Sequence, residues 1–356
     1  MANKVKSAAY LFLFTIFFSA CVATPHQEVK LVYPLPPQEP RIAFLGSYRG
    51  EIDVKKKSAM EGFLGFLFGS AERPDLQKPY GVASFGDKIY VTDTGSGEVL
   101  VIDVKERKVH HIGDGGSGKL AVPIGIAIAA DGTIFVADAK LKRVFGYDQT
   151  GKVKVAIGQK DELKNPAGLA INNELGRLYV VDSHGNAVHV YSTKGEPLFQ
   201  LLGGEGGFLF PSNVAVDRRN GNVYVVDSQN FRVQVFDKDG KFLRTFGKIG
   251  DVPGTFSRPK GIGIDSEGHV YVVDAAFNNV QIFDEQGQLL LFIGAEGRAP
   301  GYFQLPAGMY VDEKDRIYVV DSFNFRVQVF QYLSDRWKKE HPEEYKKYIL
   351  TEPAAK

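Results

Sequence analysis

Residues 259–294 decide the fold of this chain. They read PKGIGID (259–265), VYVVD (270–274), VQIFD (280–284) and LFIG (291–294), with turn residues in between. Each run is short and rich in β-branched or apolar residues, and Gly, Asn and Asp separate the runs. This pattern predicts four consecutive short β-strands joined by tight turns.

The same unit recurs along the chain. Close copies occupy residues 211–247 and 306–330, and looser copies start at Pro79, Pro123 and Pro166. An aspartate ends the second run of every copy, and successive aspartates lie 44 to 47 positions apart. These aspartates are Asp93, Asp138, Asp182, Asp227, Asp274 and Asp321. Because a four-stranded propeller blade has this length, the six copies predict an all-β fold, a six-bladed β-propeller.

The copy at residues 211–247 resembles the NHL repeat. It starts at Pro211, continues with YVVD (224–227) and NFRVQVF (230–236), and closes on Gly247. The resemblance extends over all six copies and implies a six-bladed propeller with four-stranded blades.

The sixth copy stops at Phe330, before an outer strand. Upstream of the first copy, RIAFLG (41–46) matches the outer-strand runs LFIG (291–294) and RTFG (244–247). A closed ring of blades leaves no sheet edge open. We therefore expect residues 41–46 to supply the missing strand, so that the propeller spans residues 41–333.

Two repeated positions carry structural expectations. We expect the aspartates that end the second strands to bond the backbone of their own turns, as Asp commonly does at strand ends. We expect the apolar residue three places before each leading Pro to hold the interblade loop on the core. These apolar residues are Leu76, Leu120, Leu163, Phe208, Phe256 and Phe303.

The N-terminus predicts export. Lys4 and Lys6 precede an apolar run at residues 8–18. This run is too short to span a bilayer and has the length of a signal-peptide core. We expect a signal peptide at residues 1–20.

The sequence FSAC (18–21) resembles the bacterial lipobox, with Phe18 in place of the usual Leu. The resemblance implies that Cys21 carries lipid and that the protein is held on a membrane of the bacterial cell envelope, facing the periplasm or the exterior. The Pro-rich residues 21–40 then form an extended tether. The alternative is an ordinary secretory signal cut after Ala23.

Two segments fall outside the repeats. The insertion at residues 47–78 contains the apolar run GFLGFLFG (62–69), which either plugs the channel or forms an exposed docking patch. The tail at residues 334–356 alternates charged and aromatic residues and predicts a short charged helix. This tail either lies on the propeller or reaches a partner.

Charge and residue types limit the chemistry. The net charge of +1 gives no global basic field, so we expect no nucleic-acid partner. The histidines fall on separate strands and turns, and we expect no catalytic residue, no metal site and no cofactor. Cys21 is the only cysteine, which excludes an intramolecular disulfide.

Some six-bladed relatives are enzymes, either zinc-dependent lyases or lactonases with a channel metal, and the resemblance keeps such an activity as an alternative. Asn213 stands where the other copies have Gly and would place an amide at the channel mouth. No Glu and Asp partners can be matched to it.

The loops from second to third strands and the loops between blades fall on one face. Exposed aromatic residues interleaved with Arg and Asn are typical of protein-recognition surfaces. The candidate binding residues are His184, Asn213, Phe231, Arg232, Phe277, Asn278, Phe323, Phe325 and Arg326. For Asn230, Arg232, Asn324 and Arg326 we favour a role in bracing the turns over contact with a partner.

These features predict a cell-envelope lipoprotein that presents a propeller face to a protein or peptide partner. A metal-dependent lactonase- or lyase-like enzyme and a carbohydrate or cell-wall binding module are the alternatives. The partner is expected to dock on the loops, and the membrane contact to run through the lipid anchor.

Overall fold

The computed structural model describes residues 31–55, 74–159 and 162–349. Its strands form six antiparallel sheets. Before the first blade lie β1 (Val32–Tyr33), β2 (Ile42–Tyr48) and α1 (Glu51–Val54). Blade 1 holds β3 (Pro79–Phe85), β4 (Lys88–Asp93), β5 (Glu98–Asp103) and β6 (Lys108–Ile112). Blade 2 holds β7 (Pro123–Ile128), β8 (Ile134–Asp138), β9 (Arg143–Tyr147) and β10 (Val153–Ile157).

The remaining blades follow the same order from the innermost to the outermost strand. Blade 3 holds β11 (Pro166–Asn172), β12 (Arg177–Asp182), β13 (Ala187–Ser192) and β14 (Pro197–Leu201). Blade 4 holds β15 (Pro211–Val216), β16 (Val223–Asp227), β17 (Arg232–Phe236) and β18 (Phe242–Phe246). Blade 5 holds β19 (Pro259–Ile264), β20 (Val270–Asp274), β21 (Asn279–Phe283) and β22 (Leu289–Ile293). Blade 6 holds β23 (Pro306–Val311), β24 (Arg316–Asp321) and β25 (Arg326–Tyr332), with β2 outermost.

The predicted ring closure is confirmed. Strand β2 pairs antiparallel with β25, with Ile42 opposite Tyr332 and Tyr48 opposite Val327. The short strand β1 adds a fifth strand to this sheet through the pair Tyr33 and Ile42. Val32 and Tyr33, which the sequence assigned to the tether, therefore belong to the blade 6 sheet, while residues 21–30 lie outside the described residues.

The core lies between the blades. The interface of blades 5 and 6 shows the pattern, because Tyr271 and Val273 of one sheet pack with Met309 and Val311 of the next. The apolar residues that precede the leading prolines are all buried, as predicted. Burying these β-branched and aromatic side chains is the main stabilising contribution of the ring.

The tail forms two short helices, α2 (Asp335–Glu340) and α3 (Pro342–Ile349), where the sequence predicted one. Pro342 begins the second helix, and it separates the two because proline has no backbone N–H to continue a helix. The Trp337 side chain is buried with Val32 and Leu333. In the part of the chain that the structure describes, no helix has the length and apolarity needed to cross a bilayer.

Candidate functional site

The propeller has two unlike ends. The loop face carries the loops that follow the second strands, such as residues 183–186, and the loops between blades, such as residues 202–210. The turn face carries the tight turns between first and second strands, such as residues 217–222, and those between third and fourth strands. All candidate binding residues except Asn213 belong to loops or strand ends of the loop face.

A buried aspartate organises each loop of the loop face. Asp182 accepts hydrogen bonds from the backbone N–H groups of Lys164 (2.7 Å), Asn165 (2.8 Å) and Gly185 (2.9 Å). It thereby ties the loop before its blade to the loop after its second strand. Such a buried carboxylate is stable only when donors surround it, so its role is structural, as predicted.

In blades 4 and 6 side chains complete this arrangement. Asp227 Oδ2 accepts hydrogen bonds from Arg232 Nε (2.9 Å), Asn230 Nδ2 (2.8 Å) and Gln234 Nε2 (2.8 Å). In blade 6, Arg326 Nε donates to Asp321 Oδ2 at 2.8 Å, and burial raises the pKa of Asp321.

These arginines also bind the neighbouring loops. Arg232 Nη2 donates to the Gly207 carbonyl at 2.8 Å, and Arg326 Nη2 donates to the Tyr302 carbonyl at 2.9 Å. The contacts favour the bracing role for both arginines over direct contact with a partner.

The candidate aromatic residues differ in exposure. Phe323 and Phe325 of blade 6 are 61% and 42% exposed, whereas Phe231 and Phe277 are half-buried. His184 is exposed, and its ring lies 5.3 Å from that of Phe210. Blade 6 therefore presents the most accessible aromatic pair among the candidates.

The fourth residue after each of the six aspartates has a left-handed backbone. Phe231, Phe325 and Asn278 have φ of 54°, 54° and 53°. Asn278 Oδ1 also accepts a hydrogen bond from the Leu305 N–H at 2.8 Å, and this contact connects blade 5 to the loop before blade 6. The Asn278 side chain thus makes a hydrogen bond within the propeller. The left-handed backbone at this position sets the direction in which the chain leaves each loop.

Further apolar side chains on the loop face did not stand out in the sequence. They lie in the second-to-third-strand loop of blade 2 and in the loops that precede blades 4 and 5. The exposed ones are Leu141, Leu202, Leu209, Ile249 and Val252. Their only sequence signal is that these loops are long and irregular. Together with Phe323 and Phe325 they form what we call the apolar rim.

A cavity of about 280 Å³ runs along the innermost strands. Its wall is mostly Ile, Val and Gly from the inner strands, with Asn213 among the polar lining residues. Asn213 Oδ1 accepts a hydrogen bond from the Val214 N–H at 2.9 Å. The structure therefore places Asn213 in the channel wall, apart from the candidate residues on the loops.

Side chains narrow both ends of this channel. At the turn face, Arg218 of blade 4 donates hydrogen bonds to the carbonyls of Val311 (3.0 Å) and Asp312 (2.8 Å) in blade 6. At the loop face, Lys260 Nζ lies 5.2 Å from the centre of the Tyr80 ring. Burial, with a smaller effect of Arg258, lowers the pKa of Lys260 to about 8.

The repeats match known family models. Residues 208–278 and 266–341 match DUF5128, described as a 6-bladed beta-propeller, and residues 163–191 match the NHL repeat. The chain is a six-bladed β-propeller with NHL repeats. No curated protein sequence matches this propeller.

Solved structures with a similar fold are distant in sequence. A Bacteroides thetaiotaomicron protein of unknown function is 16% identical, with a TM-score of 0.59 and coverage of 74% of this chain and 71% of that chain. An auxiliary nutrient binding protein from the same organism is 16% identical, with a TM-score of 0.58 and coverage of 73% and 70%. A gluconolactonase from Xanthomonas campestris is 16% identical, with a TM-score of 0.58 and coverage of 72% and 86%. At such identities the likeness shows the fold alone.

The histidines of the propeller lie in different environments. His110 and His111 are on β6, His189 is on β13, and His269 precedes β20. A 2.8 Å contact with Asp265 raises the pKa of His269, whereas burial lowers the pKa of His189. Across residues 31–55, 74–159 and 162–349, no three His, Cys, Asp or Glu side chains converge as a metal site requires.

Two expectations concern residues outside the described parts of the propeller. The lipid site at Cys21 precedes the described residues, and the apolar run at 62–69 falls in the gap between residues 55 and 74. The lipid anchor stays a prediction, and so do both alternatives for the insertion.

Proposed function

We propose that this propeller is a binding module that presents its loop face to a protein or peptide partner. The observation that carries the proposal is the apolar rim, a group of exposed Leu, Ile, Val and Phe side chains in loops of the same face. Large apolar side chains gathered on one face are a feature of protein interaction sites, and aromatic residues there commonly supply most of the binding energy.

The loops that carry the rim are held by the propeller itself. Buried Asp227 and Asp321 each accept three side-chain hydrogen bonds and a backbone one, which fixes the loops of blades 4 and 6. A preorganised surface loses little conformational entropy when a partner binds. The loop face therefore combines fixed backbone with accessible apolar anchors, which suits recognition of a protein surface.

The cellular setting is the second part of the proposal. We place the propeller in the bacterial cell envelope, held to a membrane by lipid on Cys21, because the sequence FSAC (18–21) follows an apolar run of signal-peptide length. In that setting the loop face would meet other envelope proteins.

The test compares two double variants. Phe323→Ala with Phe325→Ala removes the two accessible phenylalanines of blade 6, and Phe85→Ala with Phe292→Ala removes two exposed phenylalanines elsewhere on the propeller. Partners are captured on the immobilised propeller from solubilised envelope, identified, and titrated in pure form. We expect the blade 6 variant to weaken binding at least tenfold, because truncating an aromatic anchor costs about 1–2 kcal/mol or more.

The control variant should bind like the unchanged protein, and both variants must keep the native circular dichroism spectrum. Equal binding by the blade 6 variant and the unchanged protein would contradict the proposal. A stoichiometric zinc or calcium ion, together with a lactonase or lyase activity lost on chelation, would instead favour the enzyme alternative.

A further inference from the structure

The second residue of each innermost strand lies where the channel meets the loop face. These six residues are Tyr80, Ile124, Ala167, Ser212, Lys260 and Ala307. Lys260 is the cation in this ring, and its side chain is half-buried.

The position of Lys260 is fixed by its neighbours. Ser212 Oγ donates a hydrogen bond to the Lys260 carbonyl at 3.1 Å, and Ser228 Oγ donates to the Pro259 carbonyl at 2.8 Å. From blade 5 the Lys260 side chain reaches the Tyr80 ring of blade 1. It passes blade 6, where the corresponding residue is the small Ala307.

Lys260 has no counter-ion among the described residues. Within residues 31–55, 74–159 and 162–349, no carboxylate forms an ion pair or a hydrogen bond with its ammonium group. The charged neighbour that affects it is Arg258, which is also positive, and the same arginine acts on Tyr80. The Tyr80 hydroxyl likewise makes no hydrogen bond with the described residues.

Three other partly buried cations of the propeller are paired with carboxylates, whereas the half-buried Arg177 and Arg244 donate hydrogen bonds to uncharged oxygen atoms. Arg326 lies 2.8 Å from Asp321, Arg232 lies 2.9 Å from Asp227, and Arg316 lies 2.7 Å from Asp312. A cation removed from water without a partner is unfavourable. Lys260 has the Tyr80 ring as a neighbour but no anionic partner among the described residues, so an anion at the channel mouth would supply the missing countercharge.

We propose that Lys260, Arg258 and the Tyr80 hydroxyl form a carboxylate-binding site where the channel opens on the loop face. The ammonium group supplies one charge and three donors, the phenol supplies a further donor, and Arg258 adds positive charge at the exposed edge. The carboxylate belongs either to a small free acid or to an acidic residue or C-terminus of a docked peptide. This site goes beyond the proposed docking surface, because small carboxylates probe it without any partner.

The experiment follows Lys260 itself by nuclear magnetic resonance of protein labelled at lysine side chains, with the Lys260 signal assigned from Lys260→Met. Sodium acetate, D-glucuronate and a short peptide ending in Asp-Glu are titrated, with inorganic phosphate for comparison. We expect a saturating carboxylate to raise the pKa of Lys260 by at least one unit, because an anion stabilises the protonated form. Lys260→Met should weaken carboxylate binding at least tenfold, and Lys260→Arg should retain most of it.

Lys164→Met is the matched control, because it removes one exposed positive charge from the same face. An equal loss of binding in this control and in Lys260→Met would overturn the site, and so would an unmoved pKa of Lys260. Tighter binding of phosphate than of every carboxylate would overturn the assignment of the ligand.

Preference for glucuronate over the peptide identifies a free acid as the occupant, and the reverse identifies a peptide carboxylate. Because these probes need no protein partner, the result is separate from that of the Phe323 and Phe325 variant. Either proposal can therefore fail while the other holds.

Discussion

At the scale of single residues, buried charged groups of the propeller have two kinds of environment, one that stabilises the charge and one that disfavours it. Asp227 and Asp321 are buried, and each has an arginine, an asparagine and a glutamine around one carboxylate oxygen. Donors of this kind offset the cost of removing a carboxylate from water. Lys260 is the contrasting case, because burial and Arg258 both disfavour its charged form. A charged group that lowers the stability of the free protein indicates a functional role when a bound ligand removes that cost.

Replacement of Lys260 should stabilise the free propeller. The pKa of Lys260 lies near 8, below its ordinary value of 10.5, so the folded protein holds the proton less tightly than the unfolded chain does. Below pH 8 both states carry the charge and the folded state is penalised in full. We expect Lys260→Met to raise the free energy of unfolding by about 1–3 kcal/mol at pH 7, as measured by urea denaturation.

The same pair of proteins should show a particular pH dependence. The advantage of Lys260→Met should shrink as the pH rises from 8 to 10.5, because the folded unchanged protein then loses the unfavourable charge. The unchanged protein and Lys260→Met share all other titrating groups, including the nearby Tyr80 and Arg258, so the effects of those groups largely cancel in the comparison. A difference in stability that stays constant over this range would contradict this account of Lys260.

At the scale of secondary structure elements, β2 is the strand that closes the ring. It covers β25, so that Phe44 packs edge to face on Phe330 with ring centres 5.5 Å apart. Without β2, the outer edge of β25 would expose unpaired backbone groups and this aromatic contact would be lost. Such an edge is a site of aggregation as well as a loss of stability.

Truncation at the N-terminus tests this closure. A protein that begins at residue 74 lacks β2, and we expect its melting temperature to fall by at least about 10 °C or the protein to aggregate, because several kcal/mol of packing and pairing are lost. A protein that begins at residue 31 keeps β1 and β2 and should melt like the mature protein. A protein that begins at residue 41 keeps β2 but loses β1, and its melting temperature should lie close to that of the mature protein. Equal stability of all three in differential scanning calorimetry would show that β2 is dispensable.

The repeat explains which elements the sequence could predict. Six copies at one spacing determine the blades, and the likeness of residues 41–46 to other outer strands determines the closing strand, because each of these positions has counterparts. Strand β1 at Val32–Tyr33 has no counterpart, and its pairing depends on the exposed edge of β2. The sequence pattern predicted one helix for the tail and missed the break at Pro342, and it left open where the tail lies.

The candidate site was less predictable for the same reason. The repeat located the loop face and its aromatic residues, yet it could not separate Phe325, which is accessible, from Phe231, which packs on the core. No sequence signal indicated a role for Lys260, because its contact with Tyr80 connects blades 5 and 1, which are not neighbours in the ring. Contacts of that kind depend on closure of the whole ring and leave no local pattern in the sequence.

At the scale of the whole molecule, the tail and the apolar rim occupy different faces. Asp315, in the turn between β23 and β24, accepts hydrogen bonds from Ser266 of blade 5 and from Ser334 and Arg336 of the tail. Lys338 of the tail also pairs with Glu39 at 2.7 Å. The described part of the tail thus lies on the turn face and contacts the propeller there, away from the apolar rim.

The last prediction concerns the attachment of the whole molecule to a membrane. Cys21 is the only cysteine, and residues 22–30 join it to Leu31, where the described chain begins. Even fully extended, this connection reaches at most about 35 Å, so lipid on Cys21 would hold the propeller close to the bilayer. Cys21→Ser should move the mature protein from the membrane fraction to the soluble fraction, whereas Cys21 on the unchanged protein should incorporate radiolabelled palmitate. Because a lipid chain contributes about 0.8 kcal/mol of membrane binding per buried CH₂ group, the change in distribution should be nearly complete. Membrane association of Cys21→Ser at the level of the unchanged protein would show that another part of the chain provides the attachment.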